Sequence, residues 1–114
     1  MKKIALVALS LTFSASAFAA GNIEAGKVAA AKFNCASCHG ANYNEPIDPS
    51  YPKLAGQHKD YLVHALKAYQ RGAVGTAGRS NAIMEAQAKT LSNADIQNMS
   101  AYFASLKGSL VLKR

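Results

Sequence analysis

The sequence predicts an all-α fold with long connecting loops, and three observations support that class. Apolar residues recur at the three- and four-residue spacing of an amphipathic helix in three segments. No segment alternates between apolar and polar residues as a half-buried strand would. Residues 40–56 contain all three prolines of the chain, a density that excludes a helix and predicts a long loop.

The first twenty residues predict an export signal. Lys2 and Lys3 precede an apolar run that is too short to span a bilayer, and small residues follow it up to Ala19. A permanent N-terminal anchor is the alternative, but no stop-transfer pattern follows. We therefore expect residues 1–19 to be cleaved as a signal peptide and residues 20–114 to form a single domain in the periplasm.

The predicted mature domain is basic. Loss of Lys2 and Lys3 leaves eleven of the thirteen basic residues against six acidic ones, a formal net charge of +5. The cations are scattered and form no dense run, which argues against a nucleic-acid-binding arm. The charge favours acidic protein partners instead.

The first two of the three helix-like segments contain residues that are typical of the beginning or the end of a helix. The first predicted helix covers residues 23–33, with Asn22 as its N-cap, and leads directly into the cysteines. The second covers residues 59–70 and stops at Gly72. After it, the glycine-spaced stretch RGAVGTAGRSN predicts a loop.

The third predicted helix follows Ser92, which forms a near capping box with Asp95, and it ends before Gly108. Apolar side chains on one face of the second and third helices are candidates for the core: Leu62, Leu66, Tyr69, Ile96, Met99, Phe103 and Leu106. We therefore expect a helix near each end of the domain, with loops between them.

Both cysteines lie in the stretch CASCH, where Cys35, Cys38 and His39 stand within five residues. In Cys-x-x-Cys-His the thiols can add across the vinyl groups of a haem while the imidazole reaches its iron, since one turn of chain places all three over one porphyrin face. A disulfide or redox dithiol is the main alternative, but a thioredoxin-like motif should follow a strand, and none is predicted. A zinc site would need four ligands, and no second Cys/His pair is present. The motif therefore predicts covalent haem c, with His39 on the iron.

The second axial ligand of the iron has several candidates. Met84 lies in the predicted loop ahead of the last helix, where a soft thioether could be delivered to the iron. Met99 falls on the apolar stripe of the last helix and is expected to fill the core. His58 and His64 would give a bis-histidine site, although an exposed position suits His64 better. We therefore expect Met84 to be the ligand.

Three stretches give the chain a family resemblance: CASCHG, YPKLAGQHKDYLVHALKAYQRG and GRSNAIMEAQAKTLSNADIQNMSAYFASL. The chain resembles the class I c-type cytochromes over residues 22–107, especially the small soluble cytochromes c553 and one half of a dihaem cytochrome c4. The resemblance implies that the terminal helices cross and that the loops wrap one covalently attached haem, one edge of which reaches solvent. Gly26 and Tyr102 are then candidates for the contact at the crossing. A single haem motif predicts a single haem.

The resemblance also implies roles for individual residues. Met84 matches the axial methionine of the family, and Leu54 matches a leucine packed against the porphyrin. Pro52 matches the proline whose carbonyl accepts a hydrogen bond from the proximal imidazole, here His39, which fixes the ring and makes the ligand more electron-rich. The expected cofactor-binding residues are Cys35, Cys38, His39, Pro52, Leu54 and Met84, with His39 and Met84 on the iron.

These features predict a periplasmic one-electron carrier in a respiratory or related electron-transfer chain. Its iron keeps both ligands during redox cycling, and the protein supplies a dry pocket and a docking surface for redox protein partners. The alternatives are a haem-based sensor or small-ligand binder, in which Met84 leaves the iron, and a haem subunit of a larger oxidoreductase. No constellation of catalytic acid, base or nucleophile stands out, so we do not expect an enzyme. We expect no nucleic-acid partner and no transmembrane segment after signal cleavage.

Overall fold

The computed structural model describes residues 21–110, and this part of the chain contains five α-helices and no strand. The predicted signal peptide and its cleavage site lie outside the described residues. The helices are α1 (Ile23–Lys32), α2 (Ala36–His39), α3 (Lys59–Arg71), α4 (Ala82–Lys89) and α5 (Asn93–Ser105). The all-α prediction is confirmed. None of these five helices is long and apolar enough to cross a membrane.

Side-chain caps begin the first and last helices where the sequence predicted them. The Asn22 Oδ1 accepts a hydrogen bond from the Ala25 N–H at 2.8 Å. At α5 the Ser92 Oγ accepts from the Asp95 N–H at 3.0 Å, and the Asp95 carboxylate accepts from the Ser92 N–H at 2.9 Å. The capping box is therefore complete, and each such cap typically contributes about 1 kcal/mol.

The helix ends agree less closely with the sequence prediction. α3 runs one residue further than expected and is followed by Gly72, whose φ of +68° lies in the left-handed region that glycine tolerates. α5 ends at Ser105 instead of continuing toward Gly108. The Phe103 carbonyl near this end accepts from the Gly56 N–H of the proline-containing loop at 2.9 Å. α5 therefore ends before the predicted position, and its last turn forms a hydrogen bond with the proline-containing loop.

Met84 lies in a helix, so the prediction that it sits in a loop is wrong. It occupies the first turn of α4, and its N–H donates to the Asn81 Oδ1 at 3.0 Å. The segment is rich in strong helix formers, but it is too short to be stable as an isolated helix. Ala88, which is completely buried, anchors α4 to the rest of the domain. The single turn of α2 was also missed by the sequence analysis.

The N- and C-terminal helices of the described chain cross at Gly26, as the resemblance implied. The most extensive contact between two helices is that of α1 with α5. A Cβ atom at Gly26 would lie 2.8 Å from the Tyr102 Cβ and closer still to the Asn98 carbonyl oxygen. Only a residue without a side chain lets the two backbones approach this closely. The predicted contact between Gly26 and Tyr102 is confirmed.

Replacing Gly26 by alanine is expected to destabilise the domain, although alanine is the better helix former. At an exposed helical site this change would stabilise the protein by about 1 kcal/mol. Here the added methyl group has to push α1 away from α5, which we expect to cost about 1–3 kcal/mol in the free energy of unfolding. Denaturant unfolding of the haem-containing protein measures the change.

Val28→Ala is the control for this experiment, because Val28 is 70% exposed on the same helix. It should change the free energy of unfolding by less than about 0.5 kcal/mol. A Gly26→Ala protein that is more stable than the wild type would contradict the close crossing of the two helices.

Candidate functional site

A cavity of about 210 Å³ is lined by residues of α3, α4 and α5 and by the segments around α2 and the proline-containing loop. Its walls are mainly apolar and include aromatic side chains. All six residues that the sequence analysis expected to hold the cofactor line this cavity: Cys35, Cys38, His39, Pro52, Leu54 and Met84. The fold therefore brings together three separate stretches of the chain at one place.

The two cysteines stand one turn apart at the cavity wall. The Cys35 N–H donates to the Ala30 carbonyl in α1 at 3.1 Å, and the Cys38 N–H donates to the Cys35 carbonyl at 3.3 Å. Both thiols are free and half-buried. Burial raises the pKa of the Cys35 thiol, so its surroundings favour a neutral sulfur over a thiolate. A thioether sulfur is neutral, whereas a redox thiol or a zinc ligand acts as the thiolate.

His39 directly follows the second cysteine and is 7% exposed. Its Nδ1 lies 2.8 Å from the Pro52 carbonyl oxygen. Because a carbonyl oxygen only accepts, the His39 Nδ1–H donates this bond, and the lone pair of the ring is left on Nε2. The hydrogen bond that the resemblance implied is present. One nitrogen of this buried ring can therefore bind a metal.

The proline-containing loop is held in place at Tyr43. The Tyr43 carbonyl accepts from the Leu54 N–H at 2.8 Å and from the Ala55 N–H at 3.0 Å. The φ of Tyr43 is +58°, which is rare for a residue other than glycine. Its buried ring packs against Phe103 with 4.8 Å between the ring centroids. These contacts fix the segment that brings Pro52 and Leu54 to the cavity.

Both methionines of the described chain reach the cavity, whereas the two remaining histidines do not line it. Met84 is half-buried on α4. Met99 is 2% exposed and packs in the hydrophobic core, as expected, but its side chain also contributes to the cavity wall. His58 and His64 are exposed. His39 is therefore the one imidazole at the cavity in the described chain, and neither histidine of the bis-histidine alternative lies there.

Comparison with known proteins identifies the family. Residues 23–107 match the family model described as Cytochrome c. The chain belongs to the cytochrome c family. It is 37% identical over 113 residues to cytochrome c4 of Stutzerimonas stutzeri, and this match covers 96% of the chain and 52% of the relative. Cytochrome c-554(547) of Halothiobacillus neapolitanus is 37% identical over 94 residues, which cover 77% of this chain and 100% of the relative.

The fold agrees with that of solved members of the family. The crystal structure of reduced recombinant cytochrome c4 from Pseudomonas stutzeri matches with a TM-score of 0.70 at 38% identity, over 80% of this chain and 48% of that one. The chain thus spans about half the length of the cytochromes c4 that it matches. The class I cytochrome c fold expected from the sequence is confirmed.

As a cytochrome c, the chain carries covalently attached haem c with its iron, and its cavity fits that group. Cys35 and Cys38 fit the attachment motif beside the buried imidazole. A second soft donor, the Met84 thioether, lies at the same cavity. The flat apolar porphyrin would be surrounded by side chains of matching polarity: Phe33, Leu54, Leu62, Leu66, Leu91 and Phe103.

Arg79, one of the cations that the class I resemblance places around the haem or on adjacent helices, lines the cavity wall together with Tyr61 and Tyr69, whose role at the wall was not predicted. The Arg79 guanidinium lies 5.4 Å from the Tyr61 ring centroid and 5.5 Å from the Tyr69 ring centroid, within cation–π range. Its Nη2 also donates to the Tyr61 hydroxyl at 3.1 Å, and this hydrogen bond raises the pKa of Arg79. The cavity wall therefore includes a permanent cation. No local pattern joins these residues, because Arg79 follows Tyr61 by 18 positions.

Proposed function

We propose that the chain is a periplasmic one-electron carrier whose haem iron is bound by His39 and Met84, acting in a respiratory or related electron-transfer chain. The observation that carries the proposal is a pair of donors at one cavity. One is an imidazole whose Nε2 is left free by the bond to Pro52, and the other is a thioether on α4. When bound, haem c supplies the one-electron chemistry, and the chain's residues hold and tune it.

His39 is suited to be the permanent ligand. Its hydrogen bond to the Pro52 carbonyl fixes the plane of the ring and makes Nε2 a stronger donor. Its place next to Cys38 means that attachment at the cysteines keeps the iron within reach of the ring. Its burial also limits competition from water.

Met84 is better placed than Met99 to be the second ligand. A thioether favours ferrous iron and gives a higher reduction potential than a second histidine would. Met99 is part of a close-packed core beside Ile96 and Phe103, so drawing its side chain toward the iron would leave a gap among buried side chains. Met84 is half-buried and has no comparable role in the core.

Arg79 is suited to neutralise the carboxylates of the porphyrin. Tyr61 accepts from one of its five N–H groups, and the others can form charge-assisted hydrogen bonds with a carboxylate. The two tyrosine rings hold the guanidinium in one place, which reduces the entropy lost on pairing. A fixed cation at the cavity would also disfavour the ferric state and so raise the reduction potential.

The carrier role and the location have separate support. Membership of the cytochrome c family supports electron transfer with redox protein partners. The signal-like residues 1–19 support export to the periplasm. An iron held by both His39 and Met84 would have no position left for a substrate, so we propose a carrier and not an enzyme.

Absorption spectra of the ferric and ferrous protein, produced in a host that attaches haem c, test the proposed ligation. His/Met ligation predicts a sulfur-to-ferric charge-transfer band and resistance of the ferrous iron to added carbon monoxide. A ferrous protein that binds carbon monoxide at once would favour the sensor instead. Stable co-purification with a large enzyme would favour a subunit of an oxidoreductase complex.

Electron transfer to an acidic redox protein is expected to slow as salt rises to physiological ionic strength. Two ionised haem carboxylates reduce the charge of the mature domain from +5 to about +3 in the ferrous state. Screening then limits the attraction to a range of about 8 Å. The class I resemblance places the following cations around the haem or on adjacent helices: Lys27, Lys32, Lys53, Lys59, Lys67, Arg71, Arg79 and Lys89.

Charge reversal at Lys53 tests this docking surface, because Lys53 lines the cavity. At low salt, Lys53→Glu should reduce the second-order rate constant by roughly threefold or more in stopped-flow measurements. Lys107→Glu is the control, since it reverses the same charge at an exposed residue that does not line the cavity. A rate constant that stays flat or rises with salt would show that docking is mainly apolar or that the natural partner is basic.

A further inference from the structure

We infer that Gln70 is a positioning residue that holds α4 against α3 and so determines how firmly the chain keeps Met84 on the iron. The inference rests on the proposed His39/Met84 ligation. The Gln70 Nε2 donates to the Ala88 carbonyl and to the Leu91 carbonyl, both at 2.9 Å. One side chain at the end of α3 therefore holds the last turn of α4 and the turn that follows it.

The apolar packing of α4 is limited to a small part of its surface. Ala88 is the one residue of α4 that is fully buried, and five of the eight residues are exposed: Ala82, Ile83, Ala86, Gln87 and Lys89. A helix of two turns has little stability of its own, so its position depends on tertiary contacts. The loop of residues 72–81 before it is largely exposed as well.

Other contacts near α4 restrain it less directly. The Lys89–Glu85 ion pair lies within α4 and is largely exposed, so it contributes little. The Glu85 carboxylate packs over Gly72 at the end of α3. The Arg79 N–H donates to the Ala68 carbonyl at 3.0 Å, a bond that restrains the preceding loop and not α4 itself.

Met84 can leave the iron by rotation of its own side chain or by movement of α4. A movement of α4 must break the Gln70 bonds or pull α3 along, so these bonds oppose that route. Both acceptors belong to buried residues, since Ala88 is 0% exposed and Leu91 is 9% exposed. The Ala88 carbonyl also accepts from the Leu91 N–H at 3.1 Å, so loss of the Gln70 donor affects mainly the Leu91 carbonyl, for which water is a poor substitute. The two bonds favour the arrangement in which Met84 is at the cavity over one in which α4 has moved away.

Gln70→Leu tests the inference, because leucine is similar in size but has no donor. Added imidazole competes with Met84 for ferric iron, so its apparent affinity scales with the fraction of protein in which Met84 has left. We expect the variant to bind imidazole about tenfold more tightly than the wild type, which corresponds to about 1.4 kcal/mol. Its sulfur-to-ferric charge-transfer band should be present without imidazole and disappear at about tenfold lower imidazole concentration.

Asn98→Ala is the matched control. Like Gln70→Leu, it removes a hydrogen bond between a side chain and the backbone. The bond lost here is the one that the Asn22 N–H donates to the Asn98 Oδ1 at 2.8 Å, and it lies where α1 meets α5, away from α4. It should reduce thermal stability and leave the imidazole affinity unchanged. An unchanged affinity in Gln70→Leu, or an equal rise in Asn98→Ala, would overturn the role of Gln70. A wild-type protein without the charge-transfer band would instead overturn the Met84 ligation on which that role depends.

Discussion

Replacement of both Cys35 and Cys38 by alanine is expected to leave a chain that lacks attached haem and is largely unfolded or molten. Without haem the helices would surround a void of about 210 Å³. At about 24 cal/mol per Å³, such a void costs roughly 5 kcal/mol. The whole stability of a small domain is only about 5–15 kcal/mol. The double variant should therefore lose both the cofactor and most of the fold.

Acid-acetone extraction and haem staining after denaturing electrophoresis measure the attachment, and circular dichroism measures the fold. Each single change, Cys35→Ala or Cys38→Ala, should reduce the yield of haem-containing protein less than the double change does. Ser37→Ala is the matched control, because Ser37 stands between the cysteines and is exposed. It should keep the haem. A wild-type protein that releases its haem into acid acetone would contradict thioether attachment.

Replacement of Met84 by alanine is expected to open the iron to added ligands. The ferric protein should bind cyanide and the ferrous protein should bind carbon monoxide, because Met99, the other thioether at that cavity, is packed in the hydrophobic core. The sulfur-to-ferric charge-transfer band should disappear. The reduction potential should fall by on the order of 100 mV, since the soft ligand that favours ferrous iron is lost. Optical titration and potentiometry measure these changes.

Met99→Leu is the control for Met84→Ala. It replaces one buried apolar side chain by another of similar volume, which usually costs less than about 1.5 kcal/mol. The band, the resistance to carbon monoxide and the potential should remain close to those of the wild type. If the band instead survives in Met84→Ala and disappears in Met99→Leu, the ligand is Met99.

Local signals in the sequence were sufficient for three helices and for the haem motif. Asn22 caps α1, and Ser92 with Asp95 caps α5, through contacts that span three residues. Gly72 ends α3 because of its own backbone freedom. The five residues of the cysteine motif contain both thiols and the imidazole. These features depend only on near neighbours in the chain, so the sequence alone determines them.

The family resemblance extended the prediction to residues that are distant in the chain. It paired His39 with the Pro52 carbonyl, and Gly26 with Tyr102, and both contacts are present. No spacing rule would have found either pair, because their members lie on different elements. The residues of the proposed site were therefore predictable, although their roles toward the iron stay a prediction.

Only the tertiary structure decided what surrounds and holds these residues. The two-turn helix that carries Met84 is too short to form on propensity alone, and the bonds that place it come from Gln70, 18 residues before Ala88. Arg79 meets Tyr61 across the same separation. Helical periodicity shows which face of an element is apolar, but it does not show which polar side chain of another element lies opposite. That choice depends on how the helices pack around the cavity, and packing is a property of the folded chain as a whole.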